Sequence, residues 1–267
     1  MSKLKFKRKH LTIPYFVFLV CFVLVPLILI VYYSLSDESG KISFRNFETF
    51  FTNKDKIGLL SISILIGGLN TLLCLLIGYP VAYILAKASK GQNKLSIIVL
   101  LFIMPMWINF VLRTAATRDL LYWIGLDGGS HPYLATMIGM VYNYLPFTIL
   151  PLYSTMIKMD KSLIDASYDL GANKVQTFFK TTIPITMPGI ISGAMMVFMP
   201  TMSSFVISDV MGERKIQLIG NTIQFNFDQM RWHEGSFIAF IMLIIIGITM
   251  LLTRNIKKEE TVRGGLW

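Results

Sequence analysis

Long apolar runs separated by short polar segments dominate this chain. Residues 11–36, 57–86, 132–157 and 181–208 contain no Asp, Glu, Lys or Arg, and residues 95–112 and 235–253 form two shorter runs equally free of them. A bilayer core needs about 20 apolar residues per helix, so the pattern predicts an all-α polytopic membrane protein with six transmembrane helices. Barrel strands would instead alternate over short segments. Pro26, Pro80, Pro105, Pro146, Pro151, Pro188 and Pro200 lie inside the runs and predict kinks or breaks. Such interruptions are tolerated where neighbouring helices or water satisfy the freed carbonyls. Gly67, Gly68, Gly78, Gly189 and Gly193 predict close approach between helices.

The polar segments are more individual. The stretch between the fourth and fifth runs is long enough for two short helices and has the chemistry to start and stop them. Ser162 is placed to cap the first, with Asp165 three residues on. Gly171 suits the left-handed position after a helix, and Pro184 is expected to forbid further helix just before the fifth span. Leu163, Ile164, Ala166 and Leu170 make an apolar side, with Asp165, Asp169 and Lys174 left in water. Such a helix at a membrane surface is suited to docking; an ordinary surface helix is the alternative. Elsewhere, Phe44, Phe47, Phe50 and Phe51 recur at nearly helical spacing and predict an amphipathic anchor on the outer leaflet. Residues 209–234 carry Gln217, Asn221, Gln224, Asn226 and Trp232, enough polar surface to meet a soluble partner.

Charge orients the spans. With the N-terminus inside, 16 Lys and Arg fall on the inner side and 9 on the outer, which places both termini in the cytoplasm. Residues 1–10 are then a basic cytoplasmic tail, and residues 159–184 a cytoplasmic loop between spans four and five. The whole of 1–267 reads as one membrane domain. The net charge of +10 is explained by basic residues flanking spans and meeting anionic lipid, without nucleic acid. The first run is longer than a signal-peptide core and lacks a small-x-small cleavage site, so it reads as a retained span, with cleavage near residues 34–39 the alternative. Cys21 and Cys74 fall inside runs as packing residues. His10, His131 and His233 lie far apart and imply no metal site.

Energy coupling has no visible source within the chain. No Gly-x-x-x-x-Gly-Lys-Ser/Thr phosphate cradle, His-Glu-x-x-His zinc motif or Gly-x-Ser-Gly hydrolase motif occurs. The span interiors offer Asn70, Asn109 and Asn143 but no carboxylate, whereas ion-coupled carriers place ionisable groups there. Two classes remain: a permease driven by a separate ATPase, and a carrier or channel acting alone.

Asp165-Ala166-Ser167, Gly171 and Ile183-Pro184 resemble the docking signature of permease subunits of binding-protein-dependent ABC importers: Glu-Ala-Ala, three residues, Gly, nine residues, Ile-x-Leu-Pro. Asp165, Ser167, Thr181 and Ile183 are the departures from it. Residues 166–191, Phe205 to Gly212, Pro105-Met-Trp-Ile-Asn109 with Arg113, and Leu150-Pro-Leu-Tyr153 resemble polyamine importer permeases, above all the first permease type of spermidine/putrescine systems. One departure is the stretch between Arg113 and Asp127, which is short for that family. The resemblance implies the type I importer permease fold with a cytoplasmic coupling helix in a bacterial cytoplasmic membrane. It implies a second homologous permease, a cytoplasmic ABC ATPase dimer holding ATP and Mg, and an extracellular or periplasmic polyamine-binding protein. No cofactor or catalytic residue is expected on this chain, and another small solute is the alternative substrate. Asp165, Ala166, Ser167, Asp169, Gly171 and Pro184 would couple to the ATPase. Trp107, Tyr153 and Asp209 would offer a cation aromatic faces and a carboxylate. Arg113, which repels a cation, would pair with an acidic group or shape the gate.

Overall fold

The computed structural model describes residues 8–37, 39–89, 101–102 and 104–263, and among them the regular structure is helical apart from one isolated bridge between Ser36 and Ile42, with turns and short irregular segments between the helices. The helices are α1 (Arg8–Leu19), α2 (Val25–Ser34), α3 (Arg45–Thr52), α4 (Lys54–Ser89), α5 (Phe110–Trp123), α6 (Pro132–Met156), α7 (Ser162–Asp169), α8 (Lys174–Thr177), α9 (Ile183–Ser203), α10 (Val206–Met211), α11 (Ile219–Asp228) and α12 (Trp232–Arg263). Five stretches are long and apolar enough to cross a membrane: Thr12–Ser34, Lys54–Ala88, Pro132–Met156, Lys174–Ser203 and Trp232–Thr253. Residues 95–100 and 103 of the expected span 95–112 lie outside the described residues. Its described end is not one continuous helix, because a 3-10 turn, Met104–Trp107, precedes a fresh helix start at Phe110.

Two compact units are described separately. The first comprises Met1–Ile57 and Thr222–Gly247. Its first span exposes Tyr15, Phe16, Phe22 and Ile28, an apolar surface suited to lipid or to another helix. The Phe-rich segment forms α3, which departs from a simple leaflet anchor. Phe50 is buried, and the Phe47 and Phe50 rings stack edge-on against Phe237 of α12 at 4.5 and 5.6 Å, while Phe44 and Phe51 stay exposed. Lys56 and Glu234 close the same junction at 3.4 Å. Asn46 Nδ2 donates to the carbonyls of Ser34, the last residue of α2, and of Ser36 just beyond it.

The second unit comprises Gly58–Asn221 and Ile248–Trp267. Here α4, α6 and α9 meet around Thr148. A methyl group on Gly78 would lie 3.1 Å from Thr148 Cγ2, and one on Gly193 would lie 3.4 Å from Thr148 Cα. Side chains larger than hydrogen would force these helices apart. Gly67 and Gly189 are similarly crowded, whereas Gly68 faces open space, so the Gly67-Gly68 pair supplies one contact rather than two. Asn70 Nδ2 donates to Thr201 Oγ1 at 2.8 Å, a buried polar link from α4 to α9.

Most of the prolines do not end their spans; Pro105 is the exception, lying in the 3-10 turn that interrupts its run. Pro80, Pro146, Pro151, Pro188 and Pro200 all lie inside continuing helices. Pro184 corrects its expectation most clearly, because α8 runs into α9 through a π turn, Phe178–Thr182, and Pro184 sits in the first turn after it. The Ile183 N–H reaches back five residues to the Phe178 carbonyl. This wide turn shifts the ladder just ahead of a residue that has no N–H to contribute. The first span repeats the device, with Val20–Leu24 as the π turn and Pro26 after it.

Candidate functional site

Two places in the second unit combine chemistry with defined geometry: the loop from α7 to α9, and a buried polar network between α5 and α6.

The α7 loop is held from within. Asp160 Oδ1 accepts from the Ser162 N–H at 3.0 Å, so Ser162 is the first residue of α7 and its own N–H is met by Asp160, where the sequence pattern predicts Ser162 as the cap. At its other end Gly171 has φ +83°, and the Ala172 and Gly171 N–H groups donate to the carbonyls of Ser167 and Tyr168 at 3.1 and 2.8 Å. This is the paired 6→1 and 5→2 closure of a Schellman motif. α8 then opens on a full capping box: Gln176 N donates to Asn173 Oδ1 at 2.9 Å and Asn173 N to Gln176 Oε1 at 3.0 Å. The Asn-x-x-Gln spacing is the sequence signal for this second helix start. Ser167 Oγ lies 3.1 Å from Thr177 Oγ1 and accepts from Thr181 Oγ1 at 3.3 Å. Two departures from the docking signature, Ser167 and Thr181, are therefore hydrogen-bonded to each other and tie α7 to the rod that becomes α9.

What this scaffold presents is apolar. Leu170 is 89% exposed, and Leu163, Tyr168 and Val175 are exposed with it; Ile164 alone of the predicted apolar side is half-buried. Asp165 and Asp169 are exposed, as expected for side chains left in water, and Ala166 of the apolar side is exposed with them. An open pocket of about 260 Å³ separates α7 from the C-terminal ends of α4 and α6, with Tyr83, Met156, Ile164 and Asp165 in its walls.

The second place centres on Arg113, 7% exposed. Asn109 caps α5 by accepting from the N–H groups of Val111 and Leu112, which aims Arg113 at α6. Arg113 Nε donates to Asn143 Oδ1 at 2.8 Å, Nη1 to the Pro105 carbonyl at 2.6 Å and Nη2 to the Asn143 carbonyl at 3.4 Å. Asn143 Nδ2 donates to the Gly139 carbonyl at 2.8 Å and to Thr114 Oγ1 at 3.3 Å, so its oxygen is left facing the guanidinium. The Tyr142 ring centroid lies 5.8 Å away. The expected acidic partner is replaced by neutral acceptors: among the described residues no carboxylate pairs with Arg113.

The three expected pathway residues sit in different settings. Trp107, on the 3-10 turn, is 80% exposed and close in sequence to Pro105. Tyr153 packs beside a core cluster containing Leu152 and Met156. At 1.5 Å per residue it lies about 15 Å along α6 from Asn143. Asp209 is half-buried on α10 and accepts from Asn221 Nδ2 at 2.6 Å; the same Asn221 accepts from Ser208 Oγ and Leu218 N. Asp209 thus belongs to a loop-holding cluster, a role sequence reasoning missed because its partner is 12 residues away.

Residues 10–257 match the family model described as binding-protein-dependent transport system inner membrane component. The chain is 39% identical over 197 residues to the spermidine/putrescine transport system permease protein PotB of Escherichia coli K12, covering 68% of this chain and 71% of that one. It is 35% identical over 273 residues to the PotB of Haemophilus influenzae, covering 91% and 94%. Its fold is similar to a chain in the crystal structure of a bacterial alginate ABC transporter in complex with alginate pentasaccharide-bound periplasmic protein, with TM-score 0.67 at 15% identity over 94% of each chain.

Proposed function

Because this chain belongs to the family of binding-protein-dependent transport system inner membrane components, we propose that it is a permease subunit of an ATP-driven importer of spermidine and putrescine. The chain-long likeness to spermidine/putrescine permeases carries the substrate. In this reading the chain is one transmembrane domain with six spans and both termini in the cytoplasm; the span expected at 95–112 extends into α5, so Arg113, counted above on the outer side, lies inside it against the middle of α6. It works with a second, homologous permease, a cytoplasmic ATPase dimer that holds ATP and Mg, and an external polyamine-binding protein.

Coupling enters at α7. Its exposed Leu163 and Leu170 sit in a groove of one ATPase subunit, with Asp165, Ala166 and Asp169 around them and Gly171 fixing the turn that follows. Closure of the ATPase dimer moves α7 as a body, because its ends are already satisfied by Asp160 and by the Schellman closure. The Ser167–Thr177–Thr181 hydroxyls pass that movement to the rod Lys174–Ser203. The rod crosses Pro184 unbroken, so displacement at its foot tilts the span and exchanges inward- and outward-facing states. Along the path Trp107 and Tyr153 offer aromatic faces, worth about 0.5–2 kcal/mol each to a cation, and Asp209 offers a carboxylate.

The test is uptake of labelled spermidine by vesicles containing the full complex. Wild-type uptake must depend on ATP and binding protein, and an uncompeted preference for another solute would sink the substrate assignment. Asp209→Asn and Trp107→Ala should each slow uptake several-fold while assembly is spared; wild-type rates in both would remove these residues from the path. Topology is checked in a background lacking Cys21 and Cys74. A cysteine at Lys161 should label only from inside and one at Lys54 only from outside, and the reverse pattern would overturn the coupling scheme.

A further inference from the structure

Arg113 is a cation at a depth where cations are rarely left. Asn143, its main partner, lies 11 residues into the 25-residue α6, about 17 Å from the first residue of that helix, in a bilayer core about 30 Å thick. Ionisable groups at such depth mark function and pair with one another or with backbone carbonyls. Arg113 is not paired with opposite charge: its contacts are the Asn143 amide oxygen and two backbone carbonyls. Neutral acceptors solvate a guanidinium and fix its position, but they leave its unit charge in place. Asn143 is itself anchored to Gly139 and Thr114, so the charge is held rigidly.

We infer that Arg113 is a fixed positive barrier that keeps the idle permease from leaking cations. This rests on the reading of the chain as part of a cation importer, and adds to it a requirement that such an importer must meet. A pathway shaped for a flexible polycation is wide and acceptor-lined, and would pass inorganic cations whenever it opened partway. An arginine at a constriction excludes cations by field rather than by size, and the repulsion scales with the charge of the passing ion. The fork geometry also explains arginine over lysine, since three acceptors in different directions are reached at once. Arg113 links the turn Met104–Trp107 to α6 through Pro105 and Asn143, so opening the α5–α6 contact frees the guanidinium to move from the path.

The experiment uses the complete complex in proteoliposomes, without ATP or binding protein, and measures passive leak of rubidium and of chloride. Compared with wild type, R113Q should raise rubidium leak about tenfold or more, and R113K should not. N143D keeps the arginine and places a carboxylate against Nε; it should raise rubidium leak by a similar factor. Chloride leak should be unchanged in all three. Copurification with the ATPase screens assembly, and N143D decides if R113Q does not assemble. Wild-type rubidium leak in both R113Q and N143D overturns the proposal, as it would if a carboxylate of the second permease already neutralised Arg113. A parallel rise in rubidium and chloride also overturns it, reducing Arg113 to a structural latch. ATP-driven spermidine uptake by wild-type vesicles is measured alongside, so failure of the polyamine reading shows separately from failure of the barrier.

Discussion

The loop around α7 and the network around Arg113 solve opposite problems with the same kinds of bond. In the loop, polar groups are used over short chain distances, from Asp160 to Ser162 and from Ser167 to Thr181, and the apolar side chains are left outside. In the network, the polar groups face inward and join residues 30 positions apart, with Arg113 and Asn143 both buried. A surface that docks, as we propose for α7, needs a stiff backbone and free side chains. A polar group inside the membrane needs every partner supplied, because lipid supplies none.

The largest effect should come from breaking the network. Asn143→Leu removes the acceptor for Arg113 Nε and leaves a buried guanidinium short of a partner. A hydrogen bond to a charged group contributes about 1.5–3 kcal/mol, so thermal unfolding in detergent should fall by several degrees and membrane abundance should drop. A variant as stable as wild type would mean that water or the partner permease replaces Asn143.

Gly171→Val should cost somewhat less stability and more function. Nothing lies within 4 Å of the position a side chain would take, so the strain comes from φ +83° and not from crowding, about 1–3 kcal/mol. The expected result is normal insertion with at least tenfold weaker ATPase copurification and uptake. Full coupling in this variant would show that the turn only ends α7.

Leu170→Asp sharpens the contrast further, because it touches the proposed docking surface and nothing else. A substitution at an 89% exposed position should change stability by less than about 0.5 kcal/mol, yet weaken ATPase association several-fold. If association is untouched, the apolar face is covered by lipid or by another subunit. The smallest effect is expected for Asn173→Ala, which removes one half of the capping box at about 1 kcal/mol. It should be seen as faster amide exchange at Val175 and Gln176, with uptake reduced by less than twofold.

Much of the fold is legible in the amino-acid pattern. Five of the six apolar runs correspond to stretches long enough to span, with ends that move by a few residues: the run beginning at 181 starts its helix at Lys174. Gly171 takes the positive φ its place demands. Departures gather where a local signal meets a competing partner. Ser162 has the pattern of a cap, but Asp160 supplies an oxygen to the same helix start. Pro184 has the pattern of a stop, but the π turn ahead of it absorbs the missing N–H. Arg113 suggests a carboxylate partner, because sequence reasoning pairs charge with charge and cannot see an amide 30 residues away turned to face it.

Periodicity, length and charge distribution follow from properties each residue has alone, and these determined that the chain is helical, membrane-spanning and equipped with an amphipathic loop. The direction of each buried polar side chain depends on which helices meet and at what level. Only the tertiary structure could set Ser167 against Thr181, Asn221 against Asp209, and Asn143 against Arg113. The physical reason is that a hydrogen bond inside a bilayer is decided by the nearest available atom in three dimensions, and chain distance does not report it.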